Sequence, residues 1–74
     1  MILTEVQTMK ATEVNDIVIQ KTHCDYIVEQ AEELKALFSY NSKSMIELNK
    51  TRALADIEAI KDSLAELELY IKSI

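Results

Sequence analysis

Apolar residues recur at alternating intervals of three and four positions through the C-terminal half of the chain. The alternation averages about 3.5 residues, the spacing that keeps one side of a helix against a partner helix along its length. Lys50 is the only position in the same register that is not apolar. The predicted packing stripe of this second helix consists of Ile46, Ala53, Ile57, Ile60, Leu64, Leu67, Ile71 and Ile74.

A second stripe lies in the N-terminal half and predicts a helix over about residues 4–38. β-Branched residues such as Val18 and Ile19 lose rotamer freedom on a helix, which leaves a strand as an alternative there. The apolar spacing is helical rather than alternating, and the chain offers no second strand to pair with. The stripe predicted for this first helix consists of Ile17, Cys24, Ile27, Ala31, Leu34 and Phe38.

The polar segment 39–44 predicts a turn between the two helices. Serine and asparagine side chains compete for backbone hydrogen bonds, and Ser44 with Glu47 fits a capping box that would begin helix two, over about 45–74. The two stripes are out of phase across this segment, as a turn would make them. A coiled-coil stutter in a single rod of about 110 Å is the alternative.

The expected fold class is therefore all-α, a single-domain two-helix antiparallel hairpin that resembles a coiled coil. The chain has 74 residues and contains neither glycine nor proline. One cysteine and one histidine exclude an internal disulfide and a four-ligand structural zinc site. Because 49% of the residues are hydrophobic and a hairpin buries only one stripe per helix, we expect two hairpins to dimerise into a four-helix bundle.

No catalytic pattern emerges from the residue types and their spacing. His23, Cys24 and Asp25 are adjacent, but successive residues of a helix point about 100° apart and do not converge. A di-iron bundle needs a glutamate three residues before a histidine, and Gln20 occupies that position. We expect no enzyme activity, no cofactor and no metal.

The net charge of −5 argues against binding to nucleic acid or to an anionic membrane surface. No apolar run approaches the roughly 18 residues that a membrane span requires, and the N-terminus lacks the pattern of a signal peptide. A single thiol fits a reducing compartment. We expect a soluble, cytoplasmic protein.

Apolar, aromatic and acidic residues outside the two stripes suggest a surface for a protein partner. Acidic side chains at helical spacing are usually a solvated face, and the alternative is a contact for a basic or helical partner. Tyr40 at the turn is the aromatic residue expected to be exposed, whereas Phe38 is expected to close the core of the hairpin rather than to bind a partner. The candidate partner surface comprises Tyr40, Leu48, Leu54, Leu69, Tyr70, Glu29, Glu33, Glu58 and Asp62.

These observations predict a small acidic interaction module, such as an adaptor, chaperone or regulator, that packs helices with itself and with a protein partner. The alternative is a structural subunit of a larger helical assembly without catalytic activity. No motif selects among adaptor, chaperone and regulator.

Overall fold

The computed structural model describes the backbone from Ile2 to Ile74 and the side chains of residues 13–74. It contains helix α1 (Ile2–Phe38), a short helix α2 (Lys43–Leu48) and helix α3 (Lys50–Ser73), with no strand in the described backbone. The two long helices pack against each other. The prediction of an all-helical chain with two paired helices is confirmed.

Helix α1 runs through its β-branched residues without interruption. The hydroxyl of Thr22 donates to the carbonyl of Val18 at 3.0 Å, so one of these residues adds a bond within the helix. The helix ends after Phe38, where both the amide and the hydroxyl of Ser39 donate to the carbonyl of Lys35. Asn41 then has a φ of 51°, in the left-handed region that asparagine tolerates better than most residues.

Ser42 caps the start of α2, two residues before the Ser44 cap predicted from the sequence. Its hydroxyl accepts a hydrogen bond from the amide of Met45 at 3.3 Å, and its φ of −132° and ψ of 117° are extended. An N-cap residue needs such non-helical backbone angles, whereas Ser44 already lies inside the helix.

Asn49 divides the predicted second helix into α2 and α3. Its φ of −105° and ψ of 16° lie near the bridge region of backbone space. Its side-chain amide donates to the carbonyl of Met45 at 2.9 Å, which stabilises the break locally. The connection between α1 and α3 therefore departs from helical geometry twice, through residues 39–42 and again at Asn49.

The hairpin forms a single layer of structure. Its dimensions are 64 × 18 × 14 Å, and a helix with its side chains is about 10–12 Å across. The molecule is thus two helices wide and one helix thick, whereas domains usually bury their apolar faces between at least two layers. Both broad sides of the helix pair are left without a covering layer in the described part of the chain.

Candidate protein interaction surface

The seam between α1 and α3 is formed by partly buried residues that recur at intervals of three and four. Polar side chains make up about half of it, and Asp56 and Ser63 are the most deeply buried described residues, at 8% and 7% exposure. No hydrophobic side chain among residues 13–74 is buried to that degree. The seam consists of Gln20, His23, Ile27, Gln30, Leu34, Leu37, Asn49, Ala53, Asp56, Ile60, Ser63, Leu67 and Tyr70.

The seam residues are only partly those of the predicted stripes, because each helix is rotated about its own axis relative to the prediction. The two sets share five partly buried residues, Ile27, Leu34, Ala53, Ile60 and Leu67, and Ile46 of α2 is also partly buried. The other predicted stripe residues are exposed: Ile17, Cys24, Ala31, Phe38, Ile57, Leu64, Ile71 and Ile74.

The prediction chose the wrong part of each apolar face because apolar residues cover a wide arc around each helix. Each helix carries more apolar surface than one neighbour can cover, so the arc includes both seam residues and residues beside the seam. Small side chains such as Ala53 and Ser63 occupy the seam, where they leave room for the side chains of the other helix. The rotation also allows Arg52 to form an ion pair with Glu33 across the hairpin.

The exposed residues of the two stripes lie on the same side of the hairpin. Two antiparallel helices are related by an approximate two-fold axis perpendicular to their common plane, so equivalent heptad positions lie on the same side of that plane. In both helices these residues follow seam residues by four positions, as Leu64 follows Ile60 and Ala31 follows Ile27. We name this side the apolar flank: Ile17, Cys24, Ala31, Phe38, Ile57, Leu64 and Ile71.

The apolar flank is open to solvent. Ile57 is 37% exposed and Leu64 is 50% exposed. Leu64, Leu67 and Ile71 line a shallow apolar groove in α3. An ion pair borders this groove, formed by Lys72 and Glu68 at 2.7 Å. A groove with apolar walls and a charged border is typical of a surface that receives another helix.

The other side of the hairpin is more polar and holds a cleft near the turn. The ion pair between Glu33 and Arg52 lies there, with Tyr40 beside it. The cleft has a volume of about 280 Å³ and is lined by residues of both long helices. Pockets that enclose small molecules usually measure about 300–1,000 Å³. This cleft is smaller and open, so it offers little enclosure for a small ligand.

A third surface runs along α3 on the side away from the seam. It has two leucines on either side of two carboxylates at helical spacing, and the carboxylate of Glu58 pairs weakly with Lys61 at 3.7 Å. Leu69 at 65% exposure is among its most open residues. We name this surface the outer stripe: Leu54, Glu58, Asp62 and Leu69.

The predicted partner residues are therefore divided among several places. Four of them form the outer stripe, while the exposed Tyr40 and Leu48 lie near the turn and the exposed Glu29 lies on α1. Tyr70 is partly buried in the seam, and Glu33 is engaged by Arg52. The structure does not bring all nine residues into one patch.

The adjacent His23, Cys24 and Asp25 have different surroundings. His23 is partly buried in the seam, and Cys24 is an exposed free thiol on the apolar flank. Asp25, the next residue in the sequence, is exposed and points in another direction. Within the described part of the chain, no three histidine, cysteine or carboxylate side chains come close enough to hold a metal ion. None of the described helices combines the length and the apolar content that crossing a membrane requires.

The polar seam residues were missed by the sequence analysis, although a signal for them exists. Asn49, Asp56, Ser63 and Tyr70 are spaced by seven residues, as are the apolar residues that flank them. Polar residues that recur every seven positions beside an apolar series indicate a helix–helix seam that includes polar side chains. Without a structure, that series cannot be distinguished from a solvated edge.

Comparison of the chain with protein-family models, with curated proteins and with solved structures finds no match.

Proposed function

We propose that this protein is a small acidic interaction module that acts by packing helices with a second copy of itself and with a protein partner. It would serve as an adaptor, chaperone or regulator and would have no catalytic activity. The observation that supports the proposal best is the distribution of apolar residues: none of those described is fully buried, and fifteen large ones are exposed.

The free energy available from covering these residues is large for a chain of this size. Burying one Leu, Ile or Val side chain is worth roughly 1.5–3 kcal/mol. Isolated two-helix hairpins also have little core of their own, because small domains bury a modest fraction of their surface. Association with other helices would therefore stabilise the hairpin as well as carry out its function.

The outer stripe is the surface that we assign to a different protein. Exposed leucines supply apolar contact area, and Glu58 and Asp62 supply negative charge that favours encounter with a basic partner. A helix with apolar and basic residues on one face would match this pattern. The alternative function is a structural subunit, in which the same exposed residues would join hairpins into a longer assembly.

Sedimentation of the purified chain over a range of micromolar concentrations tests the first part of the proposal. An interaction module should give one discrete dimer. A structural subunit should give a series of larger species that grows with concentration. A single chain at every concentration would contradict self-association in either form.

Capture by the immobilised chain tests the second part. We expect a variant carrying Glu58→Lys and Asp62→Lys to lose a bound protein partner. The matched control carries Glu13→Lys and Asp16→Lys, which change the net charge by the same amount at exposed positions on α1. Equal capture by the two variants would contradict a specific role for the outer stripe.

A further inference from the structure

We propose that the second copy packs against the apolar flank in an antiparallel orientation, with the turns at opposite ends and Cys24 of the two chains facing each other at the centre. The resulting four-helix bundle would place α1 against the partner's α1 and α3 against the partner's α3. This inference rests on the proposed self-association and specifies its surface and its geometry.

The exposed area of the chain is large enough to include such an interface. The hairpin exposes 6291 Å², whereas a compact globular chain of 8.4 kDa exposes about 4,600 Å² by the usual scaling with mass. The difference is about 1,700 Å², and a standard interface buries about 800 Å² from each partner. The excess exposed area is therefore about twice the area that the chain would contribute to one interface of standard size.

The apolar flank is suited to a copy of itself because its residues are spaced by seven positions in both helices. A two-fold axis that passes near Cys24 and Leu64 brings Ile17 opposite the partner's Ala31 and Ile57 opposite the partner's Ile71. The pairing of Ile17 with Ala31 sets a large side chain against a small one, which favours close packing. The flank contains no charged residue, so no charge would be buried without a partner.

The antiparallel orientation pairs each helix with its own copy. Cys24 lies midway between Ile17 and Ala31 in α1, and Leu64 lies midway between Ile57 and Ile71 in α3. The seven-residue spacing is therefore symmetric about the axis in both helices.

Because Cys24 lies near the proposed two-fold axis, a disulfide between two unmodified chains would report the orientation of the hairpins. The two-fold axis of the antiparallel dimer would bring the two Cys24 residues close together. A disulfide requires Cα atoms within about 7 Å. With the turns at the same end, α1 would face the partner's α3, and the two Cys24 residues would lie on diagonally opposite helices, beyond that reach.

Sedimentation of two leucine variants tests the surface. Leu64→Lys should convert the dimer to single chains, because it places a charge at the centre of the apolar flank. Leu69→Lys makes the same change at a similarly exposed leucine on the outer stripe, and it should leave the dimer intact. Dissociation by Leu69→Lys with an intact Leu64→Lys dimer would overturn the inference while leaving the proposed function standing.

Oxidation of the native dimer tests the orientation and does not depend on how any flank variant folds. We expect mild oxidation to link two chains through Cys24. The control is Ile17→Cys in a Cys24→Ala background, where the two introduced thiols would lie about 21 Å apart along the bundle and should not link. Mixing that variant with Ala31→Cys, Cys24→Ala should restore the link between unlike chains.

Each pattern of cross-links has one interpretation. Linkage through Cys24 and between the mixed variants supports the antiparallel dimer. A dimer that fails to link through Cys24, or in which Ile17→Cys links to itself, overturns this inference and leaves self-association in place. A wild-type chain that sediments as a monomer overturns the self-association itself, and with it this inference.

Discussion

At the scale of single residues, several polar side chains lie in the seam between the two helices, where apolar side chains are more usual. Gln20 lies in the seam, and its Oε1 atom is buried without a hydrogen-bond partner. Such an atom loses its bond to water and gains nothing in return, at a cost of about 1–3 kcal/mol. Asp56 and Ser63 occupy the same seam nearer the middle of α3. A seam of this composition contributes less stability than an apolar one, and it favours one helix register over others.

Replacing Gln20 by leucine should stabilise the protein, because the substitution removes the unpaired amide oxygen and adds apolar contact. The same substitution at Gln30 is the control, since no side-chain atom there is buried without a partner. Urea unfolding should give Gln20→Leu an advantage of about 1–3 kcal/mol over Gln30→Leu. Equal free energies of unfolding would show that the oxygen of Gln20 is satisfied in solution.

Asn41 should respond to substitution according to its backbone angle. Asn41→Val should lower the free energy of unfolding by about 1–2 kcal/mol, because a β-branched residue is strained at a φ of 51°. Asn41→Gly should change it by less than about 1 kcal/mol, since glycine adopts this conformation without strain. Thermal unfolding followed by circular dichroism measures both. Similar losses for valine and glycine would indicate that the asparagine side chain, rather than the backbone angle, matters.

At the scale of elements, the connection between the long helices is more structured than a loop. Ser42 begins α2, Asn49 ends it, and the amide of Ala53 already bonds back to the carbonyl of Asn49 at 2.9 Å. The connection forms without any glycine or proline, and α3 packs against α1 after it. The sequence predicts a turn at about residues 39–44 with Ser44 as the cap, whereas α2 begins earlier, at Lys43, with Ser42 as its cap. The position of the cap depends on the left-handed Asn41, which leaves Ser42 as the last extended residue.

The two serines therefore provide a matched test of the helix start. Ser42→Ala should lower the free energy of unfolding by about 1 kcal/mol, the usual cost of removing an N-cap side chain. Ser44→Ala should change it by less than about 0.5 kcal/mol, as expected for a surface position inside a helix. Denaturant unfolding of both variants under the same conditions provides the comparison. A larger effect at Ser44 would favour the capping box that the sequence suggests.

At the scale of the whole molecule, a single layer of two helices leaves apolar surface on both sides of the seam. The apolar flank, the outer stripe and the polar side of the hairpin point in different directions, so one hairpin can contact another copy and a different partner at once. Self-association through the flank would supply the second layer that the fold lacks. It would also link the stability of the protein to its concentration.

Dilution should lower the thermal stability of the protein. For a dimer whose folding and association are coupled, unfolding shifts with protein concentration by mass action. We expect the midpoint temperature to fall by a few degrees for each tenfold dilution of the wild-type chain in the micromolar range. The Leu64→Lys variant should have a midpoint that is independent of concentration. A wild-type midpoint that is independent of concentration would contradict coupled folding and association.

The sequence by itself determined that the chain is helical, where it turns and that its apolar surface exceeds what two helices can cover. These properties follow from local propensity and from the period of the apolar residues, which act within a few positions of each other. Only the tertiary structure decided which part of each apolar arc faces the other helix. Asp56 and Ile57 lie on either side of the row formed by Ala53 and Ile60, and local preference favours burying Ile57, whereas the structure buries Asp56. The choice depends on how closely two backbones approach and on a pair such as Glu33 with Arg52, whose partners are far apart in the chain.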